Sequence, residues 1–560
     1  MAFAVIDEIY DENGRVSCVL IPQIMNRRDF LAASSSLLLP MTLNGMGITA
    51  FAENSSVVKS LREVAGNVED RIVVMINLIG GNDGLNTVIP IDQYSAYYNY
   101  RTNIAIPTNT ILSLSGAYQT GLHPAMTGLQ EMFNDGKLSI IHSVGYPNAN
   151  QSHFRSADIW MSGVDSDKYA PTGWMGRYLQ NRYAGYPTGY PNGTMEDPIA
   201  LQIGYLATPT LQGPNQTTAV TIDSPENFYN LIGSGDKNAP SNDIPANTVG
   251  KQIAFLRQQQ DLAVGYSKEI KLAADAGKNQ VTYPTAKTNE LADQLKVVAR
   301  LISGGLKTRI YFVTQYGYDT HSKQVEVSDA KKGSHANLLG NLSAAIKIFQ
   351  KDLETAGNAD KVIGMTFSEF GRRVNSNDSQ GTDHGVAAPM FVFGNAVKTQ
   401  IIGKNPDLTN GLLPEKPQSW EKGRDIKMQT DFRQVYSAVL KDWLGTSDET
   451  MNSILLGKTF DPSPIFRATK ALANEEDTLT SLKIYPNPAQ TETIIESELL
   501  LKNNVDLSLT DVYGRIFEGN QTRISRTQIR LDVSNLSTGK YFVRINTDGE
   551  PVVKALIVSR

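Results

Sequence analysis

Two histidines lie in the most acidic short motifs of this chain, which has only six histidines in 560 residues. One motif is Asp319-Thr320-His321, and the other is Asp383-His384 within the run GTDHG. A carboxylate oxygen and an imidazole nitrogen placed so close together can bind the same divalent metal ion. The two motifs therefore favour a metal site as the chemistry that this chain carries.

Each candidate ligand stands next to an apolar run that is typical of a β-strand. The runs and their neighbours are RIVVMINLI before Asp83, TRIYFVTQ before Asp319 and His321, KVIGMTF before Glu369, and PMFVFG after Asp383 and His384. Open α/β folds bind ligands in the crevice at the carboxyl ends of their strands. We therefore expect these side chains to converge on one site at one edge of a sheet.

These positions also have structural interpretations. Asn-Asp-Gly is a good turn by itself, so Asp83 could serve only the turn. Glu369 stands beside two arginines and could form a structural ion pair. Asp383 is either a ligand or a neighbour that orients the next histidine. His335, near the start of the following helix, is either a further ligand or a residue that caps or orients that helix.

Strand-like and helical stretches alternate through the middle of the chain, which predicts an α/β domain over residues 53–470. Its sheet is expected to be mostly parallel and sandwiched by helices. Residues 161–248 interrupt the alternation and are rich in Tyr, Gly, Pro and Asn, so we expect them to form long loops over the site. The clearest helical patterns lie at 250–276, at 288–303, after Ser334 and after Asp431.

The composition excludes several classes of function. The net charge of −5 is small for this length and there is no run of Lys or Arg, so neither nucleic acid nor an anionic membrane surface is an expected partner. Cys18 is the only cysteine, which excludes disulfides and cysteine nucleophiles downstream of it. Beyond residue 52 no apolar stretch is long enough to span a bilayer, so the mature chain is expected to have no membrane span.

Residues 1–52 have the features of an N-terminal extension and an export signal. Arg27 and Arg28 precede a modestly apolar stretch rich in Ser and Gly, which closes on the small-residue cleavage site AFA at 50–52. The pattern resembles a twin-arginine signal whose start is Met25. This resemblance implies that the folded protein crosses the inner membrane through the twin-arginine machinery. The alternative is a surface helix with two arginines.

The C-terminal region predicts a second domain. After a polar linker at 471–481, residues 482–560 alternate apolar and polar positions between Gly, Asn and Asp turns, as in a small β-sandwich. The motifs YPNP, VYGR, LSTGKY and KALIV closely resemble the type A sorting domain of the type IX secretion system of Bacteroidetes. This resemblance implies export to the outer membrane surface or the medium, with the type IX machinery as a partner. A carbohydrate-binding or adhesive β-domain is the alternative.

Motifs throughout the body resemble one exported bacterial family. The motifs are GGNDGLNTVIP, NQSHFRSADIW, GYDTHSKQ, FSEFGRR, GTDHGVAAPMFVFG and DFRQVYSAVL, within about residues 70–460. The family, domain of unknown function 1501, is related to the alkaline-phosphatase and sulfatase superfamily. The resemblance implies an alkaline-phosphatase-like fold, two divalent metal ions and a Ser, Thr or formylglycine nucleophile that attacks a phosphate or sulfate ester.

By this resemblance the metal ligands correspond to Asp83, Asp319, His321, Glu369 and His384. The chain departs from the superfamily at Glu369, which Phe370 follows where those enzymes often have Asp-His. This departure lowers the number of nitrogen ligands. We therefore expect one or two divalent ions per chain, either Zn²⁺ or one of Mn²⁺, Ca²⁺ and Mg²⁺.

The sequence does not mark a single nucleophile. Ser152 in the run NQSHFRS is our candidate, with His153 as its neighbour or as a ligand. Ser156 and Thr87 are alternatives. Because the mature chain has no cysteine, a formylglycine derived from cysteine is excluded.

These features together predict a secreted metal-dependent hydrolase of a small anionic phosphate or sulfate ester. The metal would stabilise charge on the transferred group and lower the pKa of the attacking hydroxyl. Arg155 or Arg372 could clamp the anion, because a guanidinium binds two such oxygens at once. The alternative is a non-catalytic cell-surface or binding protein on a decayed alkaline-phosphatase-like scaffold, which would not carry stoichiometric metal.

Overall fold

A computed structural model describes residues 70–560, apart from 234–263, 415–422, 468–481 and gaps of at most five residues. Before residue 70 it gives the backbone of four strands that form two antiparallel pairs: Ala2–Tyr10 with Val16–Ile24, and Pro40–Leu43 with Met46–Thr49. The predicted twin-arginine motif, its cleavage site and the predicted linker at 471–481 lie outside the described residues.

The chain divides into two compact units, of which the larger is Val68–Arg467. The strands of this unit are β1 (Ile72–Ile79), β2 (Val88–Pro90), β3 (Leu112–Ser113), β4 (Thr120–Leu122), β5 (Leu138–Gly145), β6 (Ala200–Ile203), β7 (Val220–Ile222), β8 (Ile310–Tyr316), β9 (Val362–Phe367), β10 (Ala388–Phe393), β11 (Gln400–Ile402) and β12 (Thr430–Asp431). Strands β2, β4 and β3 form a small antiparallel sheet, and the other nine form the central sheet.

The central sheet has the order β7-β6-β8-β1-β9-β10-β5-β11, with β12 also paired to β5. Strand β10 is antiparallel to both of its neighbours, and every other pairing is parallel. The sheet is therefore mostly parallel, which confirms the predicted fold class. Because β10 is reversed, the residues before it lie at the same sheet edge as the residues after β1, β8 and β9. That reversal brings the GTDHG motif to the edge where the other candidate ligands stand.

Helices cover both faces of the central sheet. The described helices of this unit are α1 (Gly84–Thr87), α2 (Tyr94–Tyr100), α3 (Thr127–Asn134), α4 (His153–Ser162), α5 (Trp174–Arg182), α6 (Pro225–Gly233), a helical segment at 264–276, α7 (Glu290–Ser303), α8 (Ser334–Thr355), α9 (Phe432–Ala438) and α10 (Asp448–Ile454). Short 3₁₀ turns lie at Ile91–Gln93, Thr108–Thr110, Pro209–Leu211 and Ala359–Lys361, and a π-helical turn follows α9 at Val439–Trp443.

Successive strand residues point to opposite faces, so each face has its own core. Val74 of β1 packs in the core that α3, α7 and α8 cover. Its neighbour Val73 packs in the core that α4, α5 and α9 cover. The sandwich of helices on a mostly parallel sheet follows from this alternation, because inner strands such as β1 bury apolar residues on both faces.

The segment 161–248 was expected to form long loops, but part of it forms regular elements, including α6, and residues 234–248 lie outside the described residues. It contains the helix α5 and the strands β6 and β7, which extend the central sheet at one edge in parallel register. The strands have only four and three residues, and Gly, Pro and Tyr surround them. Such short elements lack the length that makes a strand pattern visible in a sequence.

The C-terminal segment, within Ala468–Arg560, forms two antiparallel sheets of four strands each. Its strands are β13 (Lys483–Tyr485), β14 (Glu492–Glu496), β15 (Asp506–Asp511), β16 (Ile516–Phe517), β17 (Gln521–Arg523), β18 (Gln528–Asp532), β19 (Gly539–Asn546) and β20 (Val552–Val558). Ile495 and Leu531 of one sheet and Leu509 and Val543 of the other share one buried apolar core. The predicted β-sandwich is therefore confirmed.

Candidate metal centre

Three side chains meet at the carboxyl edge of the central sheet. His153 is the first residue of α4, Asp319 follows β8, and His384 precedes the reversed strand β10. One donor atom from each lies within 4.8 Å of the other two. His153 reaches this edge because α4 follows β5, which runs parallel to the strands that end here.

His321 is the fourth member of the cluster. Its Nε2 lies 2.8 Å from Nε2 of His384 and 3.2 Å from Oδ1 of Asp319. The same Asp319 oxygen lies 3.4 Å from Nε2 of His384 and 3.5 Å from Nε2 of His153. Three imidazole nitrogens and one carboxylate oxygen therefore face a common point, and we call these four residues the metal centre.

Each imidazole of the metal centre is held through its other nitrogen. Nδ1 of His153 lies 2.7 Å from Oε1 of Glu369, and Nδ1 of His321 lies 3.0 Å from Oδ1 of Asp383. Nδ1 of His384 donates to the backbone carbonyl of Gln151 at 2.9 Å. A partner of this kind fixes the ring and its tautomer and is usual behind a metal-bound histidine. Glu369 and Asp383, both predicted as ligands, thus stand behind the histidines.

The tautomers have a consequence for the rings of His321 and His384. A carbonyl or a carboxylate can only accept, so Nδ1 is the donor in both rings and Nε2 of each neutral ring carries a lone pair. Two lone pairs that face each other at 2.8 Å cannot bond to each other. They can share one proton, or both can coordinate one ion that lies off the line joining them, and the nearby Asp319 oxygen adds a negative charge to the same point.

Arg372 fixes the carboxylate of Asp319. Its Nη2 lies 2.6 Å from Oδ1 of Asp319, and its three nitrogens also donate to the carbonyls of Gly80, Gly81, Tyr318 and Thr382. Burial raises the pKa of Asp319, but the hydrogen bond and charge of Arg372 outweigh this and lower it overall. The buried guanidinium is therefore engaged within the protein, and it positions a ligand instead of facing solvent as a substrate clamp.

The pKa values of two centre histidines shift in opposite directions. The hydrogen bond that His153 donates to Glu369 raises the pKa of His153, whereas burial, aided by the charge of Arg372, lowers the pKa of His384. A low pKa keeps the His384 ring neutral, which is the form that binds a metal ion. Phe370 packs against both rings, with ring centres 4.7 Å from His153 and 4.6 Å from His384.

Asp83, another predicted ligand, belongs to a different arrangement. It is fully buried in the turn after β1, and its Oδ2 accepts from Arg101 at 2.7 Å and from Gln324 at 2.6 Å. Burial raises the pKa of Asp83, but the charge and hydrogen bond of Arg101 lower it overall, which favours the carboxylate form of Asp83. Asp83 is not among the groups whose donor atoms meet at the metal centre.

The three remaining histidines are buried in the body of the unit. His335 lies 3.0 Å from the side-chain oxygen of Asn82 through Nε2, and burial lowers its pKa to about 4. Burial also lowers the pKa of His142 to about 4 and that of His123 to about 3. Of the two readings of His335, its position favours the structural one.

The candidate nucleophiles differ in their surroundings. Ser152 is exposed, directly precedes His153 and forms the N-cap of α4 without a side-chain hydrogen bond to the helix. Ser156 is buried and donates to the carbonyl of Glu369, with the Tyr146 hydroxyl 2.8 Å away. Thr87 is buried and donates within the turn that contains Asp83. Only the hydroxyl of Ser152 is free for a substrate among these three.

Arg155, the second predicted clamp, is engaged in the loop that follows α4. Its guanidinium pairs with Asp158, donates to the carbonyls of Ser166 and Lys168, and lies 3.7 Å from the ring centre of Tyr169. These contacts hold the 166–169 loop against α4. The structure shows no contact between Arg155 and the metal centre.

The donor set fits a divalent metal ion. Three imidazole nitrogens with one carboxylate oxygen are ligands of four-coordinate zinc, whereas Ca²⁺ and Mg²⁺ prefer oxygen ligands only. The partners behind the rings complete the pattern, since carboxylates orient two of the three histidines. The side chain of Asp319 is 50% exposed and that of His321 is 39% exposed, so solvent and small molecules can reach the centre.

Comparison with known proteins identifies the body of the chain. Residues 70–455 match a family described as protein of unknown function, DUF1501. The chain belongs to this family. Residues 483–559 match the secretion system C-terminal sorting domain. The type IX sorting domain indicates export to the cell surface or the extracellular space.

No curated protein sequence matches the chain significantly. Among solved structures, it is similar to an alkaline phosphatase superfamily protein from Vibrio parahaemolyticus, with 10% identity, a TM-score of 0.28 and coverage of 68% of this chain and 72% of that one. It is also similar to the PsFucS1 sulfatase from Pseudoalteromonas sp., with 10% identity, a TM-score of 0.29 and coverage of 93% and 88%. These likenesses are distant and say nothing about activity. In the described part of the chain, no helix has both the length and the apolar character needed to cross a membrane.

Proposed function

We propose that this protein is a secreted metal-dependent hydrolase of phosphate or sulfate esters, with one centre built from His153, Asp319, His321 and His384. The observation that carries the proposal is the shared orientation of the three histidines. Each ring is held through Nδ1 by an acceptor, and each Nε2 faces the oxygen of Asp319. This arrangement supports Zn²⁺ as the preferred ion, because three of the four donors are nitrogens.

A divalent ion at the centre would stabilise charge on the transferred group and lower the pKa of an attacking hydroxyl. The protein's own residues would bind the ion and orient its ligands. Neutral imidazoles add no charge to the centre, and Arg372 offsets the single charge of Asp319. Glu369 and Asp383 stand behind two of the rings, so a divalent ion would balance their two negative charges, and an anionic ester would be bound by direct contact with the ion.

Ser152 is the proposed nucleophile. It directly precedes the proposed ligand His153 in the chain and is exposed. Its hydroxyl makes no side-chain hydrogen bond to the helix that it caps. The surroundings of Ser156 and Thr87 disfavour them, because both hydroxyls are buried and donate to carbonyls of the protein. A hydroxyl that must attack a substrate needs access as well as activation.

The engagement of the two predicted clamps supports one alternative, a metal-binding surface protein without catalysis. Arg155 holds a loop and Arg372 holds Asp319, so both guanidinium groups are engaged within the protein and neither is available to clamp a substrate anion. The ester's charge would then be met by the metal alone. A protein that binds metal and hydrolyses no ester would fit this alternative and contradict the proposed hydrolase.

The test combines metal analysis with an activity screen. The mature protein, purified without chelator, is expected to contain near-stoichiometric divalent metal and to hydrolyse at least one ester in a panel of phosphate and sulfate monoesters and diesters. Removal of the ion by a chelator should abolish hydrolysis, and added Zn²⁺ should restore it. His142→Gln serves as the control, because this histidine is buried outside the metal centre. Absence of bound metal in the parent protein would refute the proposal.

A further inference from the structure

We infer that the metal centre holds one ion, and that Arg101 takes the carboxylate which a second ion would need. The inference rests on the proposed function, because it concerns the same centre. It departs from the resemblance to two-metal enzymes, in which Asp83 corresponds to a metal ligand. In the structure, the guanidinium of Arg101 takes the place of a metal ion at Asp83.

The Asp83–Arg101 pair is closed to solvent. Both side chains are fully buried, and Nη1 of Arg101 lies 2.7 Å from Oδ2 of Asp83. The two residues are only 18 positions apart in the chain, and Arg101 directly follows α2, so α2 delivers the guanidinium to the turn after β1. A buried ion pair of this kind is neutral as a unit and offers no net negative charge to a cation.

The protein anchors the Arg101 guanidinium on every side. Nε donates to the carbonyl of Val374 at 2.7 Å, and Nη2 donates to the carbonyl of Arg373 at 2.7 Å. Nη1 also donates to the side-chain oxygen of Asn86 at 3.0 Å. With every nitrogen bonded, the guanidinium cannot swing away to admit a metal ion without leaving several buried carbonyls unpaired.

Electrostatics add to this geometric block. A divalent ion at Asp83 would lie within a few ångströms of the fixed positive charge of Arg101, among side chains that are fully buried and so poorly screened by bulk solvent. Oδ1 of Asp83 is buried and accepts no hydrogen bond within the described residues. This oxygen is the one feature that could serve a second ion, and it lacks converging partners.

The other acidic groups near the centre are also engaged. Glu369 orients His153 and accepts from the backbone nitrogen of Gly80 at 2.9 Å. Asp383 orients His321 and accepts from the side chain of Asn377 at 3.1 Å. Within the described residues, the one group of three or more potential ligands whose atoms all lie within 4.8 Å of one another is His153, Asp319 and His384, all of which belong to the metal centre. The structure therefore supplies ligands for one ion.

The experiment is a stoichiometric titration of the chelator-treated mature protein with Zn²⁺, followed by calorimetry and elemental analysis. The parent is expected to bind one equivalent, and His321→Ala to bind far more weakly. Asp83→Asn is the decisive variant, since it removes the carboxylate charge and keeps the shape. It is expected to bind one equivalent like the parent, with lower stability because Arg101 loses its partner.

Two equivalents in the parent, reduced to one in Asp83→Asn, would overturn the single-ion inference and leave the proposed function standing. No binding by the parent would overturn both. If Asp83→Asn fails to fold, electron paramagnetic resonance of the parent loaded with Mn²⁺ decides the question. An isolated Mn²⁺ spectrum supports one ion, and a spin-coupled pair contradicts it.

Discussion

The Nε2 atoms of His321 and His384 face each other at 2.8 Å, although each ring already donates through its Nδ1. Two lone pairs at this distance repel unless a cation lies between them. A single proton could bridge two nitrogens, but here Asp319 lies 3.2 Å and 3.4 Å from the same atoms, and Nε2 of His153 lies 3.5 Å from Asp319. The donors around this point therefore form a candidate metal site.

The first prediction concerns the two facing histidines. His321→Ala and His384→Ala each remove one nitrogen ligand, so each should weaken metal binding by more than the roughly 10–100-fold that follows loss of a residue which only orients a ligand. Both variants should remain folded, because their side chains are partly exposed at the sheet edge. Metal content and Zn²⁺ affinity measure the effect, and His142→Gln is the control. Parent-like metal content in both variants would contradict the centre.

A second prediction separates ligands from the residues that orient them. Glu369→Gln keeps the size of the side chain and removes the charge that holds Nδ1 of His153. Zn²⁺ affinity should fall roughly 10–100-fold, with one equivalent still bound. Glu354→Gln is a matched control, since Glu354 pairs with Lys137 on the surface. Complete loss of metal in Glu369→Gln would instead favour the original assignment of Glu369 as a ligand.

The sequence predicted the edge of the sheet at which the centre lies, because apolar runs reveal strands and their ends. It did not reveal that β10 is reversed, since an apolar run carries no direction. The sequence therefore could not show why His384, which precedes its strand, lies at the same edge as residues that follow theirs. His153 follows the run KLSIIHSVG, so the same reasoning could have made it a ligand as readily as a neighbour of Ser152.

The sequence could not predict which residues are ligands and which residues orient the ligands. Glu369 and Asp383 both adjoin the centre, and the choice between ligand and partner of an imidazole depends on shifts of a few ångströms. The pairing of Asp83 with Arg101 was hidden for a different reason. It depends on how α2 folds back over the turn after β1, and no periodic pattern encodes a contact of that kind.

The third prediction concerns the nucleophile. Ser152→Ala should leave metal content unchanged and lower turnover by several orders of magnitude, because a covalent step would be lost. Ser156→Ala is the comparison, since this buried hydroxyl bonds to the carbonyl of Glu369. It should lower stability with a smaller effect on turnover. Full activity in Ser152→Ala would exclude Ser152 as the nucleophile and favour attack by water.

The fourth prediction concerns the sorting domain. Deletion of 482–560 removes a domain with its own apolar core, so the remaining body should stay folded and bind metal as before. The truncated protein should be retained in the cell envelope, since the sorting domain is the signal for export. Cell fractionation and Zn²⁺ titration of the truncated protein measure the two effects. Secretion of the truncated protein would contradict the role of residues 482–560 as an export signal.

The last prediction concerns the response of stability to pH. His142 is buried in β5, its Nε2 has no hydrogen-bond partner within the described residues, and burial lowers its pKa to about 4 from an ordinary value of 6.5. The unfolded chain therefore binds a proton more readily than the folded one between these values. Above about pH 6.5 the His142 ring is neutral in both states and does not reduce the free energy of unfolding. As the pH falls from 6.5 toward 4, protonation of the unfolded chain lowers that free energy.

Each unit of pKa shift corresponds to about 1.4 kcal/mol, so His142 alone should account for roughly 3 kcal/mol of this loss. His142→Gln removes the titrating group, so its free energy of unfolding should fall less steeply than that of the parent between pH 6.5 and 4. Urea unfolding at several pH values, with chelator present throughout, measures both slopes and keeps the metal centre in the same state. Parallel slopes for the two proteins would show that His142 does not remain neutral in the folded chain.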